Sequence, residues 1–266
     1  RYEAAAGDGS ARSKGCGRPQ GQRPVTALPT RRDEAFRYAD LNALAPLWPI
    51  AVESIHVAAG ASETLTVIAQ GSQPTARHIA ITLDAGATFD MRVLNTGTAY
   101  GRIAVTVALG EHARFDLGAA QLGGGGQTLE LVTEVTHTAR DAVSRQVVRS
   151  VLAGHATGTY LGKVAVQRGA DGTDAGQSVR AMLLDRTATA NAKPELEIYA
   201  DDVKCAHGCA VGELDANGLF YLASRGLPPA QAKALMLQAF IAEAFVGAAD
   251  EDALNQAALA ALEALL

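Results

Sequence analysis

From about Ile50 to Leu214 the chain is one long succession of short apolar alternations broken by Gly and Asp. No helical period longer than about ten residues interrupts it. Ile55-His56-Val57, Leu65-Thr66-Val67, Ile79-Ala80-Ile81 and Ile103-Ala104-Val105-Thr106-Val107 each alternate at period two and favour β-branched residues. That pattern reads as short strands, because successive side chains on a strand point to opposite faces. A run of strands this long predicts an all-β body.

The turns between the strands recur. Ala59-Gly60-Ala61, Ala85-Gly86-Ala87 and Leu109-Gly110-Glu111 flank strands at intervals in the mid-twenties. Further on, polar residues recur at His137, His155, Asp174, Asn191 and His207, at spacings of 18, 19, 17 and 16 residues, and are read as turn residues. Periods of about 20 residues with one or two strands each favour a β-helix over a sandwich, whose turns come every 8–12 residues or so. Gly123-Gly124-Gly125-Gly126 is read as a mobile loop that interrupts the repeat, since four glycines carry too much conformational freedom for a strand. It lacks the Lys-Ser/Thr of a phosphate loop.

Helical patterns flank this body. Residues 29–49 carry apolar spacing for a short helix ending before Pro46. After Leu214, Asp215 caps a helix with Leu219, Phe220, Leu222 and Ala223 on its apolar face, closed by Gly226. Pro228-Pro229 opens a second helix with Leu235, Gln238, Ala239, Ala242, Phe245 and Val246 at 3–4 spacing, up to Gly247. Asp250 starts a third with Leu254, Ala257, Ala258, Ala261, Leu262 and Leu265 on one stripe. The expected domains are a flexible tail over 1–28, a helical segment over 29–49, a β core over 50–213 and a helical module over 214–266.

Composition narrows the function. Of 266 residues 48% are hydrophobic, enough for a sizeable core, while aromatics are only 5%. That bias suits stacked strands better than an aromatic-lined pocket. A net charge of -5 with both signs interspersed offers no basic stripe, so no nucleic-acid partner is expected. No stretch approaches the roughly 20 apolar residues of a membrane span, and no secretion signal opens the chain. It begins with Arg1 rather than Met, as a chain without its true N-terminus would. Three cysteines, Cys16, Cys205 and Cys209, cannot close a disulfide framework. Free thiols point to a reducing compartment, the cytoplasm by default. Cys16, in the glycine-rich tail, is expected to be unpaired and exposed.

The most distinctive segment runs from Glu197 to Cys209, where the β body meets the helices. On a strand Cys205 and His207 point to one face, and a thiolate beside an imidazole suits iron or zinc. Cys209 joins them only if the strand continues past Gly208. Lys204 and the histidine are expected to lower the thiol pKa. The set is incomplete as a metal site, and a buried thiol beside a hydrogen-bonded histidine is the plainer reading. A site completed by a partner chain is the alternative. His137 and His155 are read as turn or ladder residues, Asp84, Asp90 and Asp116 show no paired-carboxylate spacing, and no G-x-S-x-G elbow is present.

At these residues the chain resembles a known family. Asn191 to Asp215, NAKPELEIYADDVKCAHGCAVGELD, with Leu219-Phe220-Tyr221-Leu222 and Ser224-Arg225-Gly226, is similar to the signature of the SufB/SufD family of the SUF iron–sulfur cluster assembly system. Pro29 to Leu41 resembles that family's N-terminal P-x-R-R-x-E-x-W-R-Y-T-D-L segment, with Phe36 in place of the tryptophan. The B type tends to read Cys-Glu-His-Glu where this chain has Cys205-Ala206-His207-Gly208, which points to the D type. The resemblance implies a mainly β fold, with a right-handed parallel β-helix core between a short N-terminal helical segment and a C-terminal helical module. It implies a non-catalytic scaffold that pairs with a SufB-type paralogue and binds a SufC-type ABC ATPase through its C-terminal helices. No cofactor is tightly bound on this reading. Cys205 and His207 match positions implicated in assembly, where a transient iron or iron–sulfur cluster is shared with the partner. The match does not extend to Cys209. A β-helical carbohydrate-active or acyl-transferring enzyme and a homomeric binding protein, including a homodimer of this chain, are the competing expectations. The hexapeptide repeat of the acyltransferases and the clustered Asp/Lys/Arg face of a lyase are both missing.

Overall fold

The computed structural model describes residues 27–96 and 99–266. Residues 1–26 of the expected tail, Cys16 included, lie outside the described residues. The alternating runs form β1 (Val52–Val57), β2 (Ser62–Ala69), β3 (Thr75–Leu83), β4 (Thr88–Thr96), β5 (Tyr100–Leu109) and β6 (Arg114–Gly123). They continue as β7 (Thr128–His137), β8 (Val143–Leu152), β9 (Thr157–Val166), β10 (Asp174–Leu183), β11 (Thr189–Ile198) and β12 (Lys204–Gly212). The odd-numbered strands stack in chain order into one parallel sheet and the even-numbered strands into a second. Each coil therefore contributes one strand to each sheet, and the body is a parallel β-solenoid. The mainly β expectation holds.

The coil period differs from the spacing in the second half of the sequence. Val52 pairs with His78, Thr128 with Thr157 and Thr157 with Thr189, offsets of 26, 29 and 32 residues. The mid-twenties interval of the glycine turns is thus the repeat of the first coils, and it grows to 29 and 32 residues further along. The 16–19 spacing alternates between unrelated positions: His137 ends β7 and is buried, His155 is an exposed turn residue, and Asn191 and His207 lie within strands. The period misled because one coil holds two strands and their turns lengthen along the chain.

The four glycines are no interruption. Gly123 closes β6, and Gly125 takes a left-handed φ of 56° in the same turn position that Gly154, φ 62°, occupies one coil later. The two turns are bonded, His155 N–H donating to Gly125 O at 2.7 Å and Ala153 N–H to Gly123 O at 2.8 Å. A β-carbon on Gly154 would approach the Gly125 backbone to 3.1 Å. Close stacking of turns, not mobility, accounts for glycine at these two positions.

Inside the solenoid, inward positions are filled by Phe89, Met91, Ile103, Val105, Phe115, Leu117, Val148, Val164 and their neighbours, all essentially solvent-free. Both outer faces carry helical structure. The N-terminal segment is shorter than expected: α1 (Leu41–Leu44) is a single turn capped by Asp40, which accepts from Asn42 N–H and Ala43 N–H at 3.0 and 3.1 Å. A 3-10 turn, Ala45–Leu47, then runs through Pro46 instead of stopping before it. The segment lies on the outer face of the odd-strand sheet, where Phe36 sits edge-on to Trp48 and the Arg102 guanidinium stacks over Phe36 at 4.2 Å.

At the other end, α2 (Ala216–Ser224), α3 (Pro229–Ala242) and α4 (Glu251–Glu263) follow β12. Asp215 caps α2 as expected, accepting from Asn217 N–H at 3.0 Å and Gly218 N–H at 3.2 Å. Helices α3 and α4 cover the outer face of the even-strand sheet, sealing Leu94, Ala120, Leu122 and Val151 beneath Leu237, Phe240, Ile241, Phe245 and Leu254. The stripe expected on α4 is the one buried, Leu254, Ala258 and Leu262 fully. On α3 the buried residues are Ala232, Leu237, Phe240 and Ile241, while Leu235 and Val246 of the expected stripe face solvent. That helix is apolar nearly all round, so its period could not select a face. On α2 no residue is fully buried: Leu219 and Leu222 are half-buried, while Phe220 is 75% exposed and Tyr221 55%.

Candidate functional site

Strand β12 is the last rung of the even-strand sheet, and β11 the last of the odd-strand sheet. Among the described residues no further strand pairs with either, so both present a free edge at the open end of the solenoid. Pro194 within β11 is compatible with that edge, since it has no N–H to offer a neighbour.

The register assigns the faces. Cys205 lies opposite buried Ala175, His207 opposite buried Gln177 and Cys209 opposite buried Val179. All three therefore occupy inward positions of β12, over the mouth of the solenoid, as the alternation requires. Cys205 and His207 share a face, as expected from the sequence. Cys209 does too, because β12 continues through Gly208 to Gly212. Cys209 Sγ also lies 3.9 Å from Ala192 O of β11, across the mouth. The side chains are only partly enclosed: Cys205 is half-buried against the core, whereas His207 and Cys209 are exposed.

Alternate residues on a strand lie about 6.5–7 Å apart, so Cys205 and His207, or His207 and Cys209, can lean toward one ion. Cys205 and Cys209, two such steps apart, cannot share it with ordinary metal–ligand distances. Among the described residues no group of three or more His, Cys, Asp or Glu side chains is placed to hold a metal ion. The arrangement supplies two protein ligands at most, a partial site at an exposed edge.

The electrostatics differ from the sequence expectation. Desolvation by the core pushes the Cys205 thiol above its ordinary pKa; a backbone hydrogen bond with Ala175 opposes this weakly and the charge on Asp174 adds to it. Burial likewise raises Cys209. The expected influence of Lys204 is absent: as the residue before Cys205 on β12 it points to the opposite face, and burial dominates at the thiol.

Below the mouth lies a polar column whose residues belong to no motif in the sequence. Gln146, Gln177 and His207 are three consecutive rungs of one inward line on β8, β10 and β12. Tyr160 Oη reaches them from the opposite sheet. It lies 3.1 Å from Gln146 Oε1 and 3.1 Å from Thr133 Oγ1, and it accepts from Gln177 Nε2 at 3.0 Å. Burial pushes the phenol pKa up to about 12, so it stays neutral and can donate. The available signal was a glutamine at the same inward position of two successive strands.

Other polar groups are structural. His137 Nε2 pairs with Ser144 Oγ at 2.9 Å inside the core, and His155 stands in an exposed turn. Asp84 bonds His56 at 3.0 Å and Asp90 bonds Arg92 at 2.6 Å, both away from the open end. A cavity of about 210 Å³ lies under the N-terminal segment between Phe36, Trp48, His78 and Arg102, remote in the fold from Cys205 and His207.

Residues 43–240 match the family described as SUF system FeS cluster assembly, SufBD core domain. The chain is 35% identical over 163 residues to the chloroplastic protein ABCI7 of Arabidopsis thaliana, covering 60% of this chain and 34% of that protein. It is 37% identical over 108 residues to the iron–sulfur cluster assembly protein SufD of Escherichia coli, covering 41% of this chain and 26% of SufD. With an iron–sulfur cluster assembly SufBD family protein of Synechocystis it shares 30% identity over 194 residues, 72% of this chain and 38% of the relative. In each case the matched region spans about a quarter to two-fifths of the relative's length.

Proposed function

This chain belongs to the SufBD core family of the SUF iron–sulfur cluster assembly system, and on that footing we propose that it is a D-type scaffold subunit. Its role is to position iron or sulfide, the cargo of assembly, at an interface with a B-type paralogue. The observation that carries this reading is the placement of Cys205 and His207 on one inward face of β12, the free terminal strand.

The edges of β11 and β12 offer unpaired backbone groups on which a second solenoid can add its own strands. A partner seated there brings its ligands to the mouth and supplies those that Cys205 and His207 lack. Seating also removes water from around the imidazole and thiol, which strengthens their hold on a cation. No step in this role requires the chain to make or break a covalent bond.

The ATPase subunit is assigned to the C-terminal helices. Phe220 and Tyr221 on α2 and Leu235 on α3 stand exposed, as the apolar centre of a docking surface would. A mechanical route leads from there toward the site. Arg149 on β8 donates to Glu243, just past α3, at 2.8 Å, and also to Ser178 O on β10 at 2.8 Å. Ser178 is in register with Gly208 on β12, next to His207. A shift of the helices is thereby coupled to the strand that carries the ligands.

The test is co-purification of this chain with a B-type subunit and the ATPase, followed by anaerobic reconstitution and iron analysis. A three-component complex that loads iron, and loads poorly with His207→Ala, is the expected result. A chain that assembles only with itself, or a complex indifferent to both Cys205→Ala and His207→Ala, would overturn the proposal.

A further inference from the structure

Gln177 is buried at 4% exposure, one rung beneath His207 on the inward face. Its amide is used on one side only. Nε2 donates to Tyr160 Oη at 3.0 Å, while Oε1 is buried and has no hydrogen-bond partner. A carbonyl oxygen of this kind has two acceptor positions, and leaving both empty in a core is unfavourable.

The neighbours narrow what can fill it. In-register side chains of parallel strands stand about 4.8 Å apart, and across the core the rung beyond Tyr160 is Ala192, whose side chain has no polar group to offer. On the inner side is Gln146, whose Oε1 already faces Tyr160 Oη and Thr133 Oγ1, leaving its Nε2 free. On the outer side is the His207 ring. The Cys205 thiol stands on the Ala175 rung, one alternate step along β12 from the position directly over Gln177. One lone pair of Gln177 Oε1 can take Gln146 Nε2–H, and the other can take an N–H from the His207 ring on the outer side.

We propose that Gln177 is a positioning residue for His207: its free amide oxygen accepts one imidazole N–H and turns the other ring nitrogen outward. This inference rests on the assembly-site reading of His207 given above. A histidine that binds a metal must present an unprotonated nitrogen, and the bond made by its other nitrogen decides which one that is. Tyr160 and Gln146 in turn hold the Gln177 amide in its orientation, since Nε2 must face the phenol oxygen. Gln177 touches no cargo and acts only through the ring.

The inference is tested with the full chain labelled with ¹⁵N-histidine, at about pH 8, where an ordinary imidazole is neutral. The His207 signals are identified by their loss in His207→Ala. A single tautomer in the wild-type chain is the expected result, retained in Gln177→Glu, which keeps an acceptor, and replaced by the mixture of a free imidazole in Gln177→Leu. Cobalt(II) alone, titrated into the same samples, should bind about ten- to a hundredfold more weakly to Gln177→Leu than to wild type. A tautomer mixture in the wild type would show Gln177 satisfied by Gln146 alone and overturn the inference. That measurement decides the matter even if Gln177→Leu does not fold. Iron loading of the complex with His207→Ala is read separately: if it is unimpaired, the assembly-site reading fails while the hydrogen bond still stands or falls on the spectrum.

Discussion

The carbonyl oxygen of Ala244 lies 1.7 Å from where a β-carbon on Gly118 would be. Gly118 is in the middle of β6, on the outer face of the even-strand sheet, and Ala244 lies two residues past α3. The helical module is seated on the solenoid at a point where only hydrogen fits. Backbone meets backbone there, so neither side can yield by a rotamer change. Gly118→Ala is expected to cost at least the roughly 1–3 kcal/mol of core overpacking. Hydrogen exchange should quicken in α3 and α4 while the inner strands stay protected. Unchanged exchange in both helices would count against this seating.

Arg102 and Glu130 form an ion pair that is nearly free of solvent, 2% and 1% exposed, beneath the N-terminal segment. The same two side chains hold that segment: Arg102 Nη2 donates to Ala35 O at 2.8 Å, and Glu130 Oε1 accepts from Asp40 N–H at 3.3 Å. Removing one charge leaves the other buried and uncompensated, at a cost of about 3–5 kcal/mol. Glu130→Gln should lower the urea midpoint accordingly and expose residues 29–49 to protease. The double variant Arg102→Met with Glu130→Leu should recover most of the global stability but not the protection of the segment.

Desolvation lowers the His137 pKa to about 4, only partly opposed by the Ala142 backbone. The unfolded chain, with an ordinary pKa near 6.5, binds more protons than the folded one between those values. Stability is therefore full above about pH 6.5 and falls as the pH drops toward 4, by about 3 kcal/mol from this group alone. His137→Gln should flatten that part of the pH–stability curve measured by chemical denaturation. An unchanged acid slope would assign the loss to other groups.

Both mouth thiols have pKa values raised by burial, so less thiolate is present at neutral pH than at an ordinary exposed cysteine. In a Cys16→Ser background, alkylation followed by mass spectrometry should show rate midpoints above the ordinary cysteine value of about 8.5 at both Cys205 and Cys209. Cys209, the more exposed, should react first at any given pH. A depressed midpoint at Cys205 would restore activation by Lys204.

Much of the architecture was written locally. Period-two runs from Ile55 to Val107 fix strands, and the turns at Gly60 and Gly86 recur at the length of the first coils. The Asp215 cap and the Leu254, Ala258, Leu262 stripe are equally local, resting on contacts between residues within a few positions of one another. The pairing of Cys205 with His207 on one face needs nothing beyond strand alternation.

The rest was settled by stacking. Coil length in the second half depends on how turns such as Gly125 and Gly154 nest, so a spacing of polar residues along the chain did not reveal it. Which face of α3 is buried was decided by the sheet it lies on, because a helix apolar on every side has no direction of its own. Cys209 joins the mouth because Val179 offers β12 a rung to continue along, and Cys205 loses acidity because the core excludes water from its sulfur. The sequence alone determined a stacked β body with a thiol and an imidazole on one strand face. Only the tertiary structure placed that strand at a free edge and set a half-used glutamine beneath it, because burial and register arise between coils some 30 residues apart.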